Sequence, residues 1–402
     1  MYPVFHCLHL QPRRDAAVPR PPSVMRCSSA SAQGAPRLAR LAIRLTLPLA
    51  LSAPALARDA FHTYGTSGFR SITLPPVGAG SFDIRGDFLP DGRIVAVTSL
   101  SVFLEDAPGA ATFHVAASLD PLASGGPSDP AFLRVSPDGQ SIAIGGGFAR
   151  PVIVFAAADL GPAGSPTFLA PGTTSARYFA VPHFEAAWAD PSHLALTAGD
   201  FASPSVVTLL DVTSPPTAPT NPTIISNIAG ASAGIAFDHA GRLFTGNGFD
   251  IAPGGSDTGT VRAFLPADWV ASPADFEIDG TLVGEVLSAG SLLFDPEGNL
   301  FVGGGDFGAD FDAGYLAVVN TQAISHALAG MGPINPADPA HLRRLDPLES
   351  GAGYFASAFN PLTHELAITS GSTWFVTVPA PASAFIIAAA ALPALRRRRH
   401  GF

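Results

Sequence analysis

One short pattern, a strand, a tight turn and a second strand, recurs six times along this chain and constrains its fold more than any other feature. The copies read FLPDGRIVAV from Phe88, VSPDGQSIAI from Val135, ADPSHLALTA from Ala189, FDHAGRLFTG from Phe237, FDPEGNLFVG from Phe294 and FNPLTHELAI from Phe359. Asp and Pro favour the first turn positions, Gly supplies positive φ, and the alternation that follows marks a half-buried strand. With Pro90, Pro137, Pro191, His239, Pro296 and Pro361 as equivalent points, the intervals are 47, 54, 48, 57 and 65 residues. Repeats of that length suit four-stranded propeller blades rather than helical solenoid units.

A Gly-rich bend and a third strand follow each hairpin, as at 151–155, 205–210 and 315–319. The longest interval is explained by a short helix expected over 321–329. The 41 glycines and 39 prolines show no collagen-like period and therefore serve many turns, which points to an all-β chain. The expected body is a single β-propeller of six four-stranded blades, with seven blades or a sandwich as the open alternatives. Its sixth blade lacks a last strand of its own, and residues 69–74 are expected to supply it and remove an open edge. In the style of its hairpins the body resembles the NHL and SMP-30-like propellers.

The two ends read as addresses. From Met25, the expected true start, Arg26, Arg37, Arg40 and Arg44 precede an apolar run that closes on Ala55-Leu56-Ala57. Basic residues, a short apolar stretch and small residues at the cleavage point form a signal for export, which a signal peptidase would cut after Ala57. Residues 1–57 are therefore assigned to the signal region, 58–377 to the propeller and 378–402 to a tail. Cys7 and Cys27 both precede the cut, so the mature body would carry no thiol and no disulfide. There is no lysine, and 58–395 holds 31 acids against 11 arginines, a net −20 that repels nucleic acid and attracts divalent cations.

The tail reads VPAPASAFIIAAAALPALRRRRHGF. Residues 382–395 are almost wholly apolar, yet as a helix they rise only roughly 21 Å, short of a ~30 Å hydrocarbon core. Arg396, Arg397, Arg398 and Arg399 would stay on the cytoplasmic side, consistent with an exported body and membrane contact through 382–395. Val378, Pro379 and Pro381, the apolar helix and the arginine cluster resemble the PEP-CTERM sorting signal of exosortase substrates. That resemblance implies removal of the tail by an exosortase and release to the cell surface or the extracellular space. Ala380 stands where the family usually has Glu.

Chemistry is sparser. The bends after the second strands emerge opposite the hairpin turns and place Asp200, Asp250 and Asp306, with Asp310 and Asp312, on one rim. Gathered carboxylates suit Ca²⁺, which accepts many oxygen ligands in irregular geometry, although the spacing from Asp306 is not that of an EF-hand. His183, Glu185 and His193 are the strongest enzymatic candidates, as metal ligands or a general acid/base pair. His193 lies past a turn, which argues against co-ligation. No nucleophile elbow, Walker loop or dinucleotide fingerprint occurs in a fitting context. These features support a non-catalytic surface propeller that binds a polysaccharide or protein; the alternative is a metal-dependent lactonase- or lyase-like propeller enzyme.

Overall fold

The computed structural model describes residues 61–377, except 62–63, 65–67, 76–83, 127–128, 148–149, 200–203, 231–233, 248–258, 287, 305–314, 346–354, 361 and 371–372. They form six mainly antiparallel sheets arranged as the blades of a β-propeller, as the hairpin count predicts. The innermost strands are Arg85–Phe88, Phe132–Val135, Glu185–Asp190, Ile235–Phe237, Ser291–Phe294 and Phe355–Asn360, in blades one to six. Each packs against the next, and the sixth against the first, which closes the ring.

The middle strands explain the composition. Ile94–Thr98 and Tyr315–Val319 are buried along their whole length, because each blade is covered on both faces by its neighbours. Strands enclosed on both faces need apolar residues at every position, which is why these segments do not alternate. The hairpin turns are held by a side chain that accepts backbone N–H groups. Asp190 Oδ1 accepts from Ser192 and His193 at 2.7 and 2.9 Å, Asp238 Oδ1 from Ala240 and Arg242, and Asn360 Oδ1 from Leu362 and Thr363. Each such bond contributes roughly 1 kcal/mol and fixes the turn through contacts local in sequence.

Closure follows the expected scheme. Phe69–Ile72 pairs antiparallel with Thr373–Thr377, Phe69 opposite Thr377, and supplies the outer strand of blade six. Trp374 is fully buried in that sheet and lies against Gly86 of blade one, where any Cβ would overlap the indole. Phe61 and Tyr64 insert between blades five and six, among Phe301, Leu316 and Leu366.

The sequence did not announce a second device. The connection between the third and outer strands of a blade reaches back to the outer strand of the blade before it. Thr167–Leu169 of blade two pairs parallel with Phe113–Leu119 of blade one, and Ala274–Asp275 of blade four pairs parallel with Thr223–Ile228 of blade three. In blade five the helix Thr321–Leu328, capped by Asn320, buries Ala323, Ile324 and Ala327, and Ile334 then bridges to Gly284 of blade four. Arg177, on the outer strand of blade two, donates to the carbonyls of Val212, Thr213 and Ser214 of blade three. Arg343 of blade five donates to the carbonyl of Phe61 at 2.9 Å through Nε.

Candidate functional site

The inner strands bring charged residues of three blades together beside the ring axis. Arg85 begins the inner strand of blade one and donates through Nε to the Ala131 carbonyl at 2.8 Å, where blade two begins. Two residues on, and therefore on the same side of the strand, Asp87 accepts from Phe88 N and from Val135 N of blade two, both at 2.7 Å. Arg134 of blade two is buried and repeats the reach into blade three. Its Nε donates to the Ala186 carbonyl at 2.9 Å and its Nη2 to Glu185 Oε1 at 2.9 Å. Glu185 Oε1 also accepts from Ala186 N at 2.8 Å.

The electrostatics follow from burial. Burial pushes the Asp87 carboxyl up to about 6, against the lowering pull of Val135 N, Arg134 and Phe88 N. Glu185 is likewise pushed up by burial, with Arg134, Ala186 N and Arg85 opposing. Two arginines and two carboxylates balance in charge, and each bonds to another member or to backbone groups of its own and the neighbouring blade. Such a cluster joins strands and holds blade spacing; it offers neither an activated nucleophile nor an open coordination sphere.

His183 and Glu185 are both buried, and their hydrogen-bond partners differ. The inner strand starts at Glu185, and His183 precedes it in the connection from blade two. His183 Nε2 accepts from Gly147 N at 3.0 Å and Nδ1 donates to the Val181 carbonyl at 2.9 Å, while Phe132 meets the ring edge-on. Burial lowers its pKa, so at neutral pH it is an uncharged link between connections. His193 pairs in register with Asp190, at the far end of the same hairpin from Glu185, and its Nδ1 lies 2.8 Å from Asp190 Oδ2. The structure thus sets His193 apart from Glu185, as the intervening turn implied.

Asp200, Asp250, Asp306, Asp310 and Asp312 lie outside the described residues, as do Ala55, Ala57, Val378, Pro379, Pro381 and Arg396, Arg397, Arg398 and Arg399. The strands flanking the acidic bends, ending at Ala198, Gly246 and Gly304, all finish on the face opposite the hairpin turns. Among the described residues no group of three or more His, Cys, Asp or Glu side chains is placed to hold a metal ion. Arg85, Asp87 and Arg134 escaped the sequence reading. The signal was charged residues within the short inner strands Arg85–Phe88 and Phe132–Val135, just ahead of a hairpin turn.

No family model matches the chain, and no curated protein matches it. Solved structures do share the fold. A protein of carbohydrate-active enzyme family AA12 from Trichoderma reesei is 12% identical, with TM-score 0.50 over 79% of this chain and 98% of that one. A gluconolactonase from Xanthomonas campestris is 14% identical, with TM-score 0.48 over 79% of this chain and 91% of that one. A streptogramin B lyase is 9% identical, with TM-score 0.45 over 80% of this chain and all of that one. The neighbours include gluconolactonase-type propellers, the style suggested by the hairpins; at these identities the likeness extends to fold and no further.

Proposed function

We propose that this chain is an exported β-propeller of the cell surface or extracellular matrix, which binds a polysaccharide or protein partner without converting it. In this reading a signal peptidase cuts after Ala57, removing the leader that starts at Met25, and an exosortase removes the tail within 378–402. The observation that supports the non-catalytic part is the inner cluster: Arg85, Asp87, Arg134 and Glu185 bond across blades one to three, so these charged residues serve to hold the blades together. The export part is supported by the arginine-flanked apolar runs at both ends and by a body without cysteine.

Mass spectrometry of the protein recovered from the producing cell tests the processing. The expected mature chain begins at Arg58 and lacks Arg396, Arg397, Arg398 and Arg399; recovery of the intact chain from the cytosol rejects the reading. The same purified body, offered lactones with and without divalent metal, is expected to leave them unchanged. Metal-dependent turnover that disappears in Asp250→Asn or Asp306→Asn would establish the enzyme instead. Calcium is decided by melting: a site built by Asp200, Asp250, Asp306, Asp310 and Asp312 raises the midpoint over that in chelator, and an unchanged midpoint removes it.

A further inference from the structure

Thr377 ends the third strand of blade six on the hairpin-turn face, since it lies opposite Phe69 and its Oγ1 accepts from Leu366 N at 2.8 Å, just past the turn. Four residues, Val378, Pro379, Ala380 and Pro381, then separate it from the apolar run that starts at Ala382. Fully extended, the five steps from Thr377 to Ala382 reach at most about 17 Å. Roughly 5–7 Å of that is taken up by the headgroup layer of one leaflet. We infer that, while the tail is held in a bilayer, the propeller keeps its hairpin-turn face toward the lipid and presents the opposite face to the exterior. The inference rests on the reading of 382–395 as a membrane segment.

The opposite orientation is too far away. Thr373–Thr377 rises about 3.3 Å per residue, so merely returning from one face to the other consumes nearly the whole reach of the linker. The other end of the body agrees independently. Phe69 starts its strand on the same face, and the Tyr64 hydroxyl donates at 3.0 Å to Asp295, the first residue of the blade-five turn. Both ends of the propeller therefore leave from one side. On the turns of that side Arg93 and Arg242 pair with Asp91 and Asp238, while Asp138, Asp190 and Glu297 have no arginine partner among the ion pairs of the described residues and leave the face no net attraction for anionic headgroups. The face left open is the one on which the strands before the acidic bends finish.

Two exposed leucines report the orientation. Leu362 sits on the blade-six turn beside the exit point, and Leu122 sits on the opposite face, after the outer strand of blade one. The test uses the membrane-held form from the exporting cell, with the signal removed and residues 378–402 retained, which has no native cysteine. Leu362→Cys and Leu122→Cys are each labelled with a fluorophore and placed in vesicles of phosphatidylethanolamine and phosphatidylglycerol carrying a headgroup nitroxide. Quenching at position 362 is expected to exceed that at 122 severalfold. Equal quenching, or stronger quenching at 122, in protein that floats with the vesicles overturns the orientation and leaves the anchor reading standing. Failure of the tail-bearing protein to float with the vesicles overturns the anchor reading and the inference with it.

Discussion

Asp87 and Arg134 show how one side chain can join two blades and burden the fold at the same time. The Asp87 carboxyl is raised to about 6. A raised carboxyl favours the folded state most when protonated, so its contribution is complete below about pH 4 and is lost as pH rises through 6. Asp87→Asn removes this term. The unfolding free energy of the natural protein minus that of the variant is expected to fall between pH 4 and pH 7, by about 3 kcal/mol at most because Asp87 retains some exposure. Urea titrations at the two pH values check the sign; a difference independent of pH rejects it. Arg134 obeys a second rule. Arg134→Met strands Glu185 as a buried charge and is expected to lower stability by about 3–5 kcal/mol, whereas Arg134→Met with Glu185→Leu recovers most of the loss. Little of this was legible beforehand. The partners sit in different hairpins about fifty residues apart, and only folding brings them into register.

At the scale of the element, the hairpin was legible because its chemistry is local: the turn residues carry both the capping acceptor and the positive φ. Gly92, Gly139, Gly241 and Gly298 hold that conformation in blades one, two, four and five. Blade six places His364 there, with φ 59°, a region that a residue with a Cβ enters at a cost of about 1–2 kcal/mol. His364→Gly relieves the strain but gives up the edge-on contact with Phe359 and adds freedom to the unfolded chain. A net gain of about 0.5 kcal/mol, read as a higher melting midpoint, is expected. A lower midpoint would show that the Phe359 contact outweighs the strain. Blade three manages without a glycine, through a shorter turn and an irregular register between Trp188 and Asp190. The backward-reaching connections stayed hidden, because a parallel pair of two or three residues leaves no periodic trace in sequence.

For the whole molecule, the ring depends on a contribution from its first residues. Phe61 is fully buried beneath Arg343, whose guanidinium lies 5.8 Å from the ring centre, and Tyr64 meets Phe301 edge-on at 4.8 Å. Burial and the neighbouring Asp295 hold the Tyr64 hydroxyl protonated far above its ordinary range, so it remains a donor wherever the protein is folded. Phe61→Ala is expected to cost about 3–5 kcal/mol, seen as an earlier thermal transition, although the residue lies outside every blade. An unchanged transition would mean that the segment is not part of the cooperative unit. The six-blade plan was legible because the repeat count and the missing last strand are both properties of order along the chain. The cross-blade bonds of Arg85, Asp87, Arg134 and Glu185 were not, since they join residues of different repeats.

The pairing of Phe69 with Thr377 also sets a timetable. The segment synthesised among the first must wait for one made about three hundred residues later, so blade six stays incomplete and the ring open until synthesis has passed Thr377.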